Sequence, residues 1–411
     1  MELFWTSRRR NCVQTSYMCQ HLFALSFVMF LSTACTATSI TYVANASFVP
    51  SVAGAVLMPN AFPVRIDSSP PCFNPSVVPL PLAVRVAAAR WHAKYLSTFR
   101  VTPGEQMCGV LKERRRRLGM KTYMQLLDGN YQPVAPVVRS DGLVANFEMH
   151  DIRLERFGGR ILMHGMQYKS RRSAAWKMSW LHLSPNATTG HITASTTSLI
   201  HGDLDRSSLI NGPGKNFGIL WSGRDEDPFN VLYWLGERLD VRRGLPPPPA
   251  NITPLVLHGH EIHNNGSPIA LGTACPGHVL AIGHAHLDSS LPAHVRGKKG
   301  ATFHGNTYIN YWLLARDTPP YDVVATSPAF CLPSLNNATL CETIQFIVTV
   351  TKVAENVLLM SYGVNDCEAA VVELEISSVL AFATSSSLSP GSASFCGTLE
   401  DEGDRDSGTT R

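Results

Sequence analysis

Short apolar runs separated by turn residues dominate the chain between about residues 72 and 380, and helical spacing is rare. Runs at 147–154, 161–166, 178–183, 217–222, 231–235, 279–284, 307–314, 343–350, 357–362 and 370–376 predict strands, being apolar-rich and bounded by turn-forming residues. Phe157-Gly158-Gly159-Arg160 sits between the first two and predicts a hairpin. In residues 147–154 the apolar positions are 147 and 149, then 152 and 154, so the alternation slips by one at His150-Asp151 and predicts a β-bulge. Residues 82–96, behind Pro79 and Pro81, read as a helix. Many short strands with frequent turns point to an all-β sandwich, barrel or propeller. Some ~300 residues is large for one sandwich and natural for a propeller of four to six blades.

Outside that body the pattern changes. Arg8-Arg9-Arg10 precede an apolar run at 22–35, and no Asp, Glu, Lys or Arg follows until Arg65. A signal peptide with a small-residue cleavage region at Cys35-Thr36-Ala37 fits this, and so does a type II signal anchor with the arginines on the cytosolic side. The expected organisation is an N-terminal tail (1–20), the signal peptide or anchor (21–38), a stem (39–71), the propeller (72–380) and a disordered acidic tail (381–411). Pro246 to Pro249 mark a surface connection. Four sequons, at Asn45, Asn186, Asn251 and Asn337, suit a glycosylated body in the Golgi or ER lumen, or a secreted one. The membrane is then a partner only through an uncleaved N-terminal segment.

Seven of the ten cysteines lie beyond the apolar run, and Cys331 to Cys341 would make a reasonable loop-closing bridge. Without a CxxC pair no zinc site and no metal cofactor is expected. A net charge of +4 with 16 % charged residues gives no reason to expect nucleic acid, and the basic run 112–117 reads as a solvated loop.

Four constellations carry candidate chemistry. Asp151 at the slip could act as a general acid, with Arg153 two residues on pointing to the same side. Gly212-Pro213-Gly214-Lys215-Asn216-Phe217 could present a cation and an amide to an anion or a sugar hydroxyl. His284 and His286 share one side of a strand. With His258, His260 and His263 nearby they could bind zinc, but substrate or phosphate is the better fit. Ser361-Tyr362-Gly363-Val364-Asn365-Asp366 ends a strand at a tight turn with polar residues at its mouth.

Taken in order, these segments resemble the five-bladed β-propeller family of β-mannoside phosphorylases and hydrolases, with related mannosyl-transferring enzymes. Phe73-Asn74-Pro75-Ser76 resembles its opening Asn-Pro motif, and Met149-His150-Asp151-Ile152-Arg153 its Glu-Asp-Pro-Arg segment, whose Asp is the proton donor. Lys215-Asn216-Phe217 resembles its Lys-Asn-Trp. Asn265-Gly266-Ser267-Pro268 with Ile282-Gly283-His284 resembles its Gly-rich-Pro segment and the strand after it. Residues 361–366 resemble its closing Tyr-Gly-Ala-Ala-Asp. His150 and Ile152 depart from the family's Glu and Pro.

The resemblance implies a five-bladed propeller with Asp151 as general acid. It implies Asn74, Arg153, Lys215, Asn216, His284, His286, Tyr362 and Asp366 as substrate-binding residues for a glycan or sugar phosphate, with no cofactor. A hydrolase would need a second carboxylate, for which Asp366 and Glu261 are candidates; a phosphorylase would need cations instead. The rival is a non-catalytic propeller that binds glycans or proteins at a cell surface, which needs no acid at 151.

Overall fold

The computed structural model describes residues 55–67, 73–101, 121–139, 149–168, 173–186, 192–205, 216–220, 230–243, 255–286, 308–333, 335, 341, 345–364, 368–385 and 396. They belong to one compact unit, Ser47–Arg411.

The fold is mostly β with a propeller arrangement. Four sheets of three or more strands form among the described residues, against the expected five blades. An eight-stranded sheet is made of two antiparallel meanders. One runs through Phe73–Pro79, Tyr95–Val101, Lys121–Leu127 and Pro133–Arg139, the other through Met149–Phe157, Arg160–Tyr168, Ser173–Pro185 and Ile192–Asp205. They join only where Ile192, Thr193 and Ala194 pair in parallel with Val137, Val138 and Arg139, and this merging lowers the count.

Gly218–Leu220, Asn230–Leu235 and Leu239–Arg243 form the three-stranded sheet. The seven-stranded sheet is built around His278–His286 and Tyr308–Arg316, paired over nine residues. Gln345–Ala354, Val357–Val364 and Glu368–Glu375 form the last meander.

Within the stretch expected to be a stem, residues 56–57 and 64–65 join this body. Val56–Leu57 pairs in parallel with Phe330–Cys331, and Val64–Arg65 pairs with Val371 and Ala370. Extended chain next to a sheet edge satisfies the edge's unpaired backbone groups, which explains why this stretch is not merely a lead-in.

Apolar clusters fill the spaces between successive sheets. Val78, Leu96 and Met124 of the first meander meet Ile152, Leu154 and Leu181 of the second. Leu162, Trp176 and Met178 meet Phe217, Val231 and Tyr233. Leu232 and Leu235 meet Ala281 and Leu313. Leu280, Ile282 and Trp312 meet Ile347, Leu358 and Met360. Leu359 and Val371 meet Val77 and Phe99. Strands packed on both faces read as near-continuous apolar runs, which is why Val357–Val364 lacks alternation.

The hairpin at Gly158-Gly159 forms as expected, with Gly158 at φ +57°. The helix expected over 82–96 is shorter. Leu82–Ala87 is helical, one 3₁₀ turn follows, and His92 at φ +55° ends it. Tyr95–Val101, rich in aromatic and β-branched residues, is a strand instead. A second helix, Ile376–Thr384, buries Ile376, Val379, Leu380 and Ala383 at helical spacing on the cluster of Leu280, Ile282 and Trp312. Cys331 bonds Cys341, and Cys275 bonds Cys396. Among the described residues no helix is long and apolar enough to cross a membrane; residues 21–38 lie outside them.

Candidate functional site

Two bulges on neighbouring strands build the site. On Met149–Phe157, His150 pairs with Met166 and Arg153 with His164, so Asp151 and Ile152 stand opposite Gly165 alone. This is the slip that the alternation predicts. On Phe73–Pro79, Phe73 pairs with Arg100 and Ser76 with Thr98, so Asn74 and Pro75 stand opposite Phe99. Asp151 takes φ +51° and Asn74 φ +48°. Asp and Asn tolerate the left-handed region better than most residues, yet each such residue stores strain of ~1–3 kcal/mol that the surroundings must hold.

The bulges aim the two side chains at each other, and Asn74 Nδ2 donates to Asp151 Oδ1 at 3.5 Å. Arg100 Nη1 meets the same oxygen at 2.6 Å, with side-chain exposures of 12 % for Arg100 and 2 % for Asp151. A buried carboxylate is tolerable here because a guanidinium compensates its charge.

Arg153 is fully buried and serves the protein's own groups. Its Nη1 donates to the carbonyls of Asn265 (2.7 Å) and Val348, and its Nη2 to Asn216 Oδ1 (3.2 Å). Desolvation lowers its pKa to about 10, opposed by the charges of Asp151 and Glu155. Glu155, two residues further along the same face, accepts from Ser267 Oγ at 2.5 Å and lies 3.4 Å from His164 Nε2. Ser267 Oγ in turn accepts from Ile219 N at 2.7 Å. Burial pushes the His164 pKa down, with the Glu155 hydrogen bond opposing. One strand thus carries Asp151, Arg153 and Glu155, and through them ties the strands at 73–79, 218–220 and 345–354 together.

Buried hydroxyls hold the same strands in register. Ser76 Oγ lies 2.5 Å from Thr349 Oγ1 and accepts from Leu154 N at 2.7 Å. Gly363 packs on Asn74: a Cβ there would sit 2.0 Å from Asn74 Oδ1 and 2.9 Å from its backbone N. Only a residue without a side chain lets the Asn74 bulge lie flat on that strand.

Of the residues expected at the site, Asn74, Asp151, Arg153 and Asn216 come together. His284 approaches from the other side: its ring stacks on Tyr308 at 5.3 Å and meets Phe346 edge-on at 5.9 Å, and Phe346 lies 5.7 Å from the Arg153 guanidinium. The ring of His284 is held among aromatics and the backbone of His286 continues its strand; the His286 side chain falls outside the described residues.

Tyr362 is buried in the apolar cluster with Ile282, Trp312 and Ile347. Strand alternation turns it away from Asn74, which Gly363 faces. Glu261 is exposed on a two-stranded hairpin. Lys215 and Asp366 lie outside the described residues. Among those residues no group of three His, Cys, Asp or Glu is placed to hold a metal ion.

Arg100, Glu155 and His164 are the residues that sequence reading missed, and Ser267 was seen there only as part of the Gly-rich-Pro segment. Arg100 shares a strand face with Leu96 and Thr98, both buried, and a charge in phase with core positions was the available signal.

No family model matches the chain, and no curated protein does. Several solved structures are similar in fold. A GDP-Man-dependent mannosyltransferase from Leishmania mexicana is 11 % identical with a TM-score of 0.43, over 78 % of this chain and 91 % of that one. A mannose phosphorylase from the same organism is 12 % identical with a TM-score of 0.41, over 74 % and 84 %. A glycosyl hydrolase from Bacteroides ovatus is 12 % identical with a TM-score of 0.42, over 78 % and 90 %. At such identities no residue's role passes from those proteins to this chain.

Proposed function

We propose that the chain is a carbohydrate-active enzyme of the secretory pathway that cleaves or transfers β-mannosyl or related glycosyl groups, with Asp151 as its general acid. The observation that carries this reading is Asp151 itself: a carboxylate held almost wholly out of water, on a left-handed bulge, near the start of a strand. Strained backbone of this kind concentrates where a side chain must be aimed. The ordered motifs around Asn74, Asp151, Asn216 and His284 add support, since four separate segments supply them.

The propeller is read here as five-bladed. The eight-stranded sheet divides at its three-residue parallel seam. Its two halves then pack face to face through an apolar cluster, as every other adjacent pair of sheets does. The lumenal or secreted location, the signal peptide or signal anchor at 21–38 and N-glycosylation rest on the N-terminal apolar run and the sequons. Endoglycosidase treatment of the expressed protein should then shift its gel mobility.

A non-catalytic glycan-binding propeller is the second reading. It is favoured by the way Arg100 and Arg153 satisfy internal groups, leaving less charge for a substrate. Release or transfer from β-mannosides, measured with and without phosphate, separates the two. An enzyme forms product in one of those conditions; a binding module retains the glycan and forms none.

A further inference from the structure

On the seven-stranded sheet Asn310 stands directly across from His284, and Trp312 across from Ile282, so these four side chains share one face. Ile282 and Trp312 pack there with Ile347 in an apolar cluster. Two amides are buried beside them. Asn310 is 0 % exposed and Asn265 is 1 % exposed, and Asn265 Nδ2 donates to Asn310 Oδ1 at 3.3 Å. Among the described residues, Asn265 Oδ1 and Asn310 Nδ2 have no hydrogen-bond partner. Buried polar atoms are paired as a rule, so two orphans on one bonded pair of amides point to a partner that they share.

We propose that Asn265 and Asn310 hold one ordered internal water, which donates to Asn265 Oδ1 and accepts from Asn310 Nδ2. The unmet valences select the ligand. One is an acceptor and the other a donor, and exchanging O and N in both amides leaves the same balance. A cation takes acceptors alone and an anion takes donors alone, whereas water offers both roles at once. The burial of both residues selects water over a sugar hydroxyl, because a ligand from solution has no exposed edge of either amide to meet. The His284 imidazole, across the strand from Asn310, is a further polar group on this face, and a buried water makes about three hydrogen bonds.

The water acts as a positioning ligand for the loop of Asn265 and touches no substrate. That loop supplies the carbonyl of Asn265 to Arg153 at 2.7 Å and the hydroxyl of Ser267 to Glu155 at 2.5 Å. It is held from below by Asn265 N, which donates to the carbonyl of Ile282 at 3.0 Å, and within itself by Gly266 N, which donates to Asn264 Oδ1 at 3.2 Å. The single direct amide bond at 3.3 Å is its side-chain tie to Tyr308–Arg316. A bridging water doubles that tie, and so steadies the acceptor of Arg153 and the donor of Glu155.

The test is a crystal structure of the full-length protein at a resolution that shows ordered water, joined to oxygen-17 magnetic relaxation dispersion in solution. The expected structure has one water within hydrogen-bonding distance of both amides. Asn310→Leu keeps the size of the side chain and removes both polar atoms, so the count of long-lived internal waters should fall by about one per molecule. Deuterium exchange at the Gly266 and Ile219 amides, which bond Asn264 and Ser267, should quicken in the same variant. A water that merely filled space would leave those two rates unchanged.

The unaltered protein decides the matter even where Asn310→Leu does not fold. Two amides closed on each other by a pair of N–H to oxygen bonds, with no water between them, overturn the proposal, and so does an ion in that place. An unchanged water count in a folded Asn310→Leu overturns it as well. Loss of the water on adding mannose shows a site open to sugars and contradicts the sealed one proposed.

Discussion

Asn74 and Asp151 occupy matching positions on neighbouring strands: each sits in a bulge that sets two residues against one, at φ +48° and +51°, and their side chains meet at 3.5 Å. A left-handed backbone costs most side chains ~1–2 kcal/mol and glycine almost nothing. Asn74→Gly should therefore be more stable than Asn74→Ala by ~1 kcal/mol, although both lose the amide. Urea unfolding of the two variants checks this, and equal midpoints would show that position 74 is not left-handed.

Arg153 is the hub cation. Its guanidinium donates to the carbonyls of Asn265 and Val348 and to Asn216, and it lies between Asp151 and Glu155. Arg153→Met fills much of the same volume but leaves those acceptors without their donor and removes the cation that faces both Asp151 and Glu155. The expected loss is ~3–5 kcal/mol in denaturant unfolding. A change within ~0.5 kcal/mol would mean that the guanidinium holds nothing together.

Gly218 packs against the loop that carries Ser267. A Cβ at 218 would lie 2.2 Å from the Gly266 carbonyl oxygen and 2.7 Å from its carbon, both backbone atoms. Gly218→Ala must push the two segments apart and lengthen the bond from Ile219 N to Ser267 Oγ. Overpacking of this kind costs ~1–3 kcal/mol. Thermal unfolding of the variant should show a lowered midpoint, and an unchanged midpoint would contradict the close approach.

The alternation of apolar residues made the Asp151 bulge legible, because one slipped position shifts a whole strand's phase. The hairpin at Gly158-Gly159 and most strands after residue 147 were legible for the same reason. The first meander was not. Phe73–Pro79 and Pro133–Arg139 contain prolines, and Lys121–Leu127 mixes polar and apolar residues on both faces. Tyr95–Val101 was read as part of a helix, since nothing local marks where helical spacing ends before His92 turns left-handed. Arg100 went unread as a partner of Asp151 because the two are 51 residues apart: its phase with Leu96 and Thr98 marks it as buried but does not say what it meets. Ser267 and Glu155, 112 residues apart, are hidden in the same way.

His164 gives the fold a pH dependence of known sign. Burial lowers its pKa in the folded state, so the folded protein binds fewer protons than the unfolded chain as pH falls below the ordinary value of 6.5. Its contribution to stability is fully present above that value and is lost as pH falls toward the depressed one. His263, also lowered by burial, adds in the same direction. Each group contributes a slope of at most ~1.4 kcal/mol per pH unit. Between pH 6.5 and 5.5 the stability of His164→Gln should fall less steeply than that of the unaltered protein. Parallel curves would show that His164 takes up its proton as freely in the fold as outside it.

The central claim is that Asp151 protonates a leaving group, and the kinetics of Asp151→Asn test it most directly. The change is nearly isosteric and keeps an acceptor for Arg100, so the fold should be retained by circular dichroism. Turnover of unactivated β-mannosides should fall by ~10²–10⁴-fold. Aryl mannosides with a good leaving group, which need little protonation, should be affected far less. Full activity of Asp151→Asn on both substrate types, or an equal loss on both, would contradict the account.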